Sequence, residues 1–367
     1  MTRTVVIAPD SFKGTIAAAD AAEAIAAGWR QERPDDDIRL LPMADGGEGT
    51  LEAFATAVPD AERVPVTVVG PADREVETFW LRLPASDDAP GGTAIVELGA
   101  TSGIELLTEL RPLAAHTFGL GQAIAAALEA GVSRIVVGLG SSASTDGGTG
   151  MLRALGARVL DAAGAEVPLG GAGLASAASV SGLPALPSGG VRALSDVTNP
   201  LLGRRGAAAV FGPQKGATPD DVAALDAALA KLAALLPEVD PLTPGAGAAG
   251  GTGFGLLAWG ATLEPGSVAV AELLGLPAAA VAASVVVTGE GSFDGQSAAG
   301  KVPAHVAEAA GPTPVALVAG RITPDADTSA FAASLSLTDL AGSPEAAMKD
   351  PATWLWEAGR RFARDLG

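Results

Sequence analysis

The chain has 367 residues, of which 48 are Gly, about 13% against a usual share of about 7%. That length predicts two domains, and 48% hydrophobic residues with 18% charged ones exclude a disordered chain. Forty-two acidic against 23 basic residues, a net charge of −19, exclude nucleic acid and anionic membrane as main partners, since both need a basic face.

The first apolar run, Thr4-Val-Val-Ile-Ala8, reads as a buried parallel strand and ends in Pro9-Asp10. A helical pattern follows at about 17–30, then a second strand at 38–42. The segment Asp45-Gly46-Gly47-Glu48-Gly49-Thr50 leads into a helix through about residue 57, so the chain opens as β-α-β-α. The rhythm then changes. Runs at 64–69, 75–83 and 93–98 have no helical stretch between them and predict an antiparallel meander, with Gly70-Pro71 and Gly91-Gly92 as turns. Helix returns at about 119–130, strand at 134–137, and then the loop 138–148.

Thr218-Pro219-Asp220-Asp221 predicts a helix start, with an N-cap hydroxyl, Pro at the first position and acids in the first turn. Val222, Leu225, Leu229, Leu232 and Leu236 then form a core stripe. Buried-strand patterns resume at 284–287, 314–318 and 334–337, with helices at about 302–310 and 344–366. The expected fold is α/β: a Rossmann-like open parallel sheet domain built from 1–63 plus 284–367, interrupted by an inserted α/β domain over 64–283, with an active-site cleft between them. The apolar stretch 273–287 is too short and broken to span a bilayer, and no signal peptide is visible, so a cytoplasmic protein is expected.

With no Cys and only two His, His116 and His305, a thiolate nucleophile is excluded and any metal falls to Asp and Glu oxygens, which favours Mg²⁺. Both His read as structural residues. Lysines are scarce. Of five, Lys13, Lys215 and Lys301 each touch a glycine, which is how a compact ammonium beside flexible backbone meets phosphate.

Ligands of open α/β sheets sit at the carboxyl ends of strands. There stand Asp10-Ser11-Phe12-Lys13-Gly14, an acid, a hydroxyl and an ammonium in one turn, and the Asp45–Thr50 segment, with two carboxylates across two glycines. The loop 138–148 is richest: Ser141, Ser142, Ser144 and Asp146 among glycines suit an anion cradle. Its start is similar to the phosphate loop of galactokinase-related kinases, except that Arg134 stands where those carry Pro. Ser195-Asp196-Val-Thr-Asn199 and Gln214-Lys215-Gly216 add an acid and two amides, and Glu290 and Asp294 two more carboxylates. Gly295-Gln-Ser-Ala-Ala-Gly300-Lys301-Val302 misses a Walker A loop, because Val302 replaces the Ser/Thr that binds Mg²⁺. The run 244–255 suits a hinge, a second phosphate loop, or backbone packed on another loop. These features favour a small-molecule phosphotransferase. A dinucleotide-dependent oxidoreductase lacks its G-x-G-x-x-G after the first strand, and a non-catalytic phospholigand-binding module would not need so many carboxylates.

Together these stretches resemble the bacterial glycerate kinases of the first type. The ordered matches are Ile7-Ala-Pro-Asp-Ser-Phe-Lys-Gly14, Pro42-Met-Ala-Asp-Gly-Gly-Glu-Gly-Thr50, Ser144-Thr-Asp-Gly-Gly-Thr-Gly-Met151, Asp196-Val-Thr-Asn-Pro-Leu201, Val210-Phe-Gly-Pro-Gln-Lys-Gly-Ala217, Pro244-Gly-Ala-Gly-Ala-Ala-Gly-Gly251 and Val287-Thr-Gly-Glu-Gly-Ser-Phe-Asp-Gly-Gln296. The pattern departs at Ser141, where a second Gly is expected, and near Thr145, where Asn is expected.

The resemblance implies transfer of the ATP γ-phosphate to D-glycerate, usually at the 2-hydroxyl, with Mg²⁺, and leaves open whether the chain forms a homodimer. Within it, Lys13, Lys215 and Lys301 would offset phosphate and carboxylate charge, while Asp10, Ser11, Gly46, Gly47, Ser141, Ser142, Ser144, Asp146, Asn199 and Gln214 would line the substrates. Mg²⁺ would sit on Glu48, Glu290 or Asp294, with Asp45 beside them in a catalytic or metal-holding role, and Asp196 would orient or deprotonate the attacking hydroxyl.

Overall fold

The computed structural model describes residues 2–12, 14–295 and 302–367. In chain order its strands and first helices are β1 (Thr4–Pro9), α1 (Ala18–Glu32), β2 (Asp37–Leu40), α2 (Thr50–Ala57), β3 (Glu62–Val69), β4 (Glu75–Leu83), β5 (Thr93–Glu97), β6 (Arg134–Gly138), β7 (Arg158–Asp161), β8 (Ala177–Ser181), β9 (Val191–Leu194), β10 (Thr262–Glu264), β11 (Val285–Phe293), β12 (Val315–Ile322) and β13 (Ala333–Ser336). The fold class is α/β, with parallel sheets and helices, as the run of apolar strands and amphipathic helices predicts. The chain divides into two compact units, one of Met1–Asp45, Glu52–Pro59 and Ser267–Gly367, the other of Gly46–Leu51 and Asp60–Gly266.

The first unit holds a five-stranded sheet in the order β13-β12-β11-β1-β2, with every pair parallel. Such strands are covered on both faces, which is why β1 and the Val285–Val287 start of β11 are apolar runs. Val5, Ile7, Val287 and Val318 pack with Ile25 and Trp29 of α1 and with Leu355 and Phe362 of the last helix, Pro351–Asp365. The continuous helix expected over 344–366 is two helices, Pro344–Lys349 and Pro351–Asp365. Pro351 cannot continue the first, and Asp350 caps the second by accepting from the Thr353 amide.

The second unit holds a six-stranded sheet in the order β10-β9-β6-β5-β4-β3. The meander of β3, β4 and β5 is antiparallel, but β5 also pairs in parallel with β6, so it joins the meander to the parallel half. Val96, Ile135, Val137 and Ala193 of this sheet pack with Leu120, Ile124 and Met151. The helix Pro219–Leu235 starts at a Thr218/Asp221 capping box and buries Leu225, Leu229 and Leu232, as its stripe predicts. Strands β7 to β10 had no counterpart in the sequence reading. They have three to five residues each and carry too few periods of alternation to stand out. Among the described residues, no helix is long and apolar enough to cross a membrane.

Candidate active site

In the second unit the strands β5, β6 and β9 run parallel, and their carboxyl ends carry Glu97, the loop after Gly138, and Ser195-Asp196. The loop after β6 turns through Ser141, a non-glycine residue at φ 57°. Ser142, Ser144, Thr145 and Asp146 follow, all buried. Asp146 is the anchor. One carboxylate oxygen accepts from the Thr117 amide at 2.9 Å, the Thr117 hydroxyl at 2.8 Å and the Gly150 amide at 3.1 Å. The other accepts from the Ser144 hydroxyl at 3.0 Å and the Gly148 amide at 3.3 Å. With both oxygens engaged by protein donors, Asp146 holds the loop's shape from within.

Lys215 enters the same loop from a short turn, Pro213–Lys215, and only 2% of it is exposed. Its ammonium donates to the Ser142 hydroxyl at 2.7 Å and to the Ser144 carbonyl at 2.5 Å. Both bonds tie the ammonium into the loop from beneath. Burial pushes its pKa down to about 7, against the pull of the Asp146 charge.

In the glycine run 244–255 the structure shows backbone packed on another loop, one of the three expectations for it. A Cβ on Gly250 would lie 2.0 Å from the Ser144 carbonyl oxygen, and the Gly147 amide donates to the Gly250 carbonyl at 3.1 Å. Ala249, Gly250 and Gly251 all have positive φ, which turns the chain back before the helix proper.

The Gly46–Leu51 segment docks on the same sheet edge. A Cβ on Gly46 would lie 2.6 Å from the Leu194 carbonyl oxygen, and one on Gly140 would lie 2.2 Å from Gly47 Cα. Glu48 is exposed. Asp196, also exposed, accepts from the Gly266 amide at 2.8 Å. Asn199 donates to the Arg205 carbonyl at 2.8 Å, and Gln214 is exposed beside Lys215.

In the first unit the acids gather at the carboxyl edge of β1, β11 and β2. Asp10 follows β1 and accepts from the Ser11 amide at 2.6 Å. Pro9 pairs with Gly289, so Glu290 stands at the next level on the neighbouring strand. Glu290 was expected in a loop after a strand ending at 287. It lies within β11 instead, because pairing with β12 continues to Phe293–Ile322, and Asp294 follows it. Asp45 follows β2. Lys13 and Lys301, with Gln296 and Gly300 of the Walker-like stretch, lie outside the described residues. Among the described residues, no group of three or more His, Asp or Glu could hold a metal by itself. A Mg²⁺ ion carried on nucleotide phosphates needs only one or two carboxylates, which Glu290, Asp294 or Glu48 can supply.

The sequence matches the Glycerate kinase family profile over residues 5–367. The chain belongs to the glycerate kinase family. It is 42% identical over 335 residues to the glycerate kinase of Bacillus subtilis (strain 168), covering 88% of this chain and 86% of that protein. It is 43% identical over 333 residues to the glycerate 2-kinase of Escherichia coli (strain K12), again covering 88% and 86%. A crystal structure from Salmonella typhimurium LT2, provisionally assigned as glycerate kinase 2, superposes with a TM-score of 0.86 at 40% identity, over 100% of this chain and 98% of that one. As a member of this kinase family, the chain is an enzyme that transfers phosphate to an alcohol.

Two residues bonded into these loops, Thr117 and Glu97, were not among those expected from the sequence. Thr117, which holds Asp146, gives no local sign, because its partner is 29 residues away. Glu97 did give one, as an acid closing the apolar run Thr93-Ala-Ile-Val-Glu97. It is 6% exposed, and burial raises its carboxyl to about 7, against backbone donors from Leu51, Gly49 and Thr50 and with Glu48 adding to the rise. His116 is buried and structural: its Nδ1 accepts from the Phe118 amide at 3.3 Å.

Proposed function

We propose that this chain transfers the γ-phosphate of ATP to D-glycerate and that the product is 2-phosphoglycerate. The observation that carries the reading is the buried Lys215 bonded into the serine loop, within a chain 43% identical to a glycerate 2-kinase. Phosphoryl transfer needs positioning and charge neutralisation more than covalent help. When protonated, Lys215 supplies a positive charge beneath the loop, and the Ser141 and Ser142 hydroxyls and the loop amides supply donors to an anionic oxygen. Ser141, Ser142, Gly46, Gly47, Asn199 and Gln214 are read as the substrate-lining set of the second unit; Ser144, expected with them, is fully buried and donates its hydroxyl to Asp146, so both serve as internal support.

Asp196 is read as the group that orients or deprotonates the attacking hydroxyl, with one oxygen fixed by the Gly266 amide. In the first unit, Asp10, Ser11 and Asp45 stand where an open parallel sheet takes its ligand. Lys13 and Lys301 are read as further cations for phosphate. When bound with ATP, Mg²⁺ would neutralise phosphate charge, with Glu48, Glu290 or Asp294 as its carboxylate ligands.

A coupled assay of ADP formation with ATP, Mg²⁺ and D-glycerate tests the activity, and phosphorus NMR of the product tests the position. Glycerate-dependent ADP release with 2-phosphoglycerate as product is expected. Formation of 3-phosphoglycerate would overturn the regiochemistry, and turnover on a sugar but not on glycerate would overturn the substrate.

A further inference from the structure

We propose that Glu97 is a positioning residue for phosphoryl transfer, holding the Gly46–Leu51 segment in its working shape. The proposal rests on the kinase reading above. Glu97 closes β5, next to β6, and its Oε2 accepts from the Leu51 amide at 3.1 Å. The neighbouring Gly49 and Thr50 amides also act to keep this carboxylate charged, the Thr50 amide donating to the Gly47 carbonyl at 3.4 Å. The start of α2 is thus turned toward one buried side chain. Amides at a helix start lack intrahelical partners.

The segment is built mostly of residues without side-chain donors or acceptors. Gly46, Gly47 and Gly49 have no side chains, and Gly46 and Gly49 both adopt positive φ. Thr50 folds inward, donating to the Gly47 carbonyl at 2.7 Å. Two contacts set how far the segment lies from the sheet: Gly46 on Leu194, and Gly47 on Gly140. Those contacts set distance. Glu97 adds a directional bond from outside the segment, at the Leu51 amide, and so bears on where Glu48 and the glycine amides point.

The role needs an acceptor oxygen facing the start of α2. In Glu97→Gln the volume is kept, but the amide nitrogen turns a donor toward backbone donors. Wild type, Glu97→Gln and Glu97→Asp would be compared by glycerate-dependent ADP release, by thermal unfolding and by amide hydrogen exchange at residues 49–51. The expected result for Glu97→Gln is a kcat at least tenfold lower, with KM for ATP and D-glycerate within about threefold. Exchange at residues 49–51 should be at least tenfold faster, while strand amides of β5 and β6 are unchanged. Glu97→Asp, which keeps the carboxylate, should recover part of kcat. A folded Glu97→Gln enzyme with kcat within twofold of wild type, or with unchanged exchange at 49–51, would overturn the proposal. So would failure of both variants to fold, because the carboxylate would then hold the unit as a whole. A wild-type enzyme without glycerate turnover would instead overturn the kinase reading, and the exchange measurement separates the two failures.

Discussion

The Lys215 ammonium lies 2.7 Å from the Ser142 hydroxyl and 2.5 Å from the Ser144 carbonyl, in a position where only 2% of the residue meets solvent. Its charge therefore acts beneath the serine loop, organising the loop while adding a positive field to any anion the loop holds. Substitution by Met keeps the length and apolar volume of the side chain and deletes the charge and both hydrogen bonds. Lys215→Met is expected to lower kcat/KM for D-glycerate by about 100-fold or more with the far-UV circular dichroism unchanged. A loss below about tenfold, or 1.4 kcal/mol, would remove Lys215 from direct action on the phosphate.

The same burial sets a pH dependence. Folding lowers the Lys215 pKa from 10.5 to about 7, with desolvation as the cause and Asp146 opposing it. Below pH 7 the group is charged in both states and its burial penalty is present in full. Between pH 7 and 10.5 the unfolded chain binds the proton and the folded chain does not, so stability rises with pH by at most about 1.4 kcal/mol per unit. Urea unfolding at pH 7, 8 and 9 should show that rise in wild type relative to Lys215→Met. Where the charged ammonium is needed for turnover, kcat/KM falls over the same range, so stability and activity move in opposite directions.

The parts of this molecule legible in the sequence are those fixed by local chemistry. Continuous apolar runs gave β1, β5, β6 and β11, because a strand covered on both faces has few polar positions. Thr218 with Asp221 announced a helix start three residues wide. The serine loop was visible as glycine and hydroxyls after a strand, but the different duties within it were not. Asp146 reads as a ligand in sequence and is saturated by Thr117, Gly148, Gly150 and Ser144 in three dimensions. The Thr117 partnership, like that of Lys215 with Ser142, spans tens of residues and leaves no local pattern. The helical pattern over 344–366 runs through Pro351, which ends one helix and opens the next.

Gly250 provides a separate test of the serine loop, from a partner that carries no chemistry. At φ 67° it occupies the left-handed region, and a methyl group there would meet the Ser144 carbonyl oxygen at 2.0 Å. That oxygen is backbone and is also the acceptor for Lys215, so it cannot move without disturbing the ammonium. Gly250→Ala is expected to cost about 2–4 kcal/mol, combining left-handed strain with overpacking. Denaturant titration would give the loss, and kcat/KM should fall with it in the fraction that remains folded. Gly164, also at positive φ but with open space around it, is the control: Gly164→Ala should cost only about 1 kcal/mol and leave kcat unchanged.

Asp196 is the residue whose two readings separate most cleanly by kinetics. It follows β9, is exposed, and has one oxygen accepting from the Gly266 amide at 2.8 Å. If that bond exhausts its purpose, Asn preserves it, because the amide oxygen accepts as the carboxylate did. If the carboxylate also takes or orients the proton of the attacking hydroxyl, Asn cannot replace it, having no basic oxygen. General base assistance is typically worth about 10²–10⁴ in rate. Asp196→Asn is therefore expected to lower kcat by at least about 100-fold, with KM for D-glycerate within about threefold and an unaltered unfolding midpoint. A kcat within about tenfold of wild type would confine Asp196 to capping the Gly266 amide and return the search for the base to the other carboxylates at the strand ends.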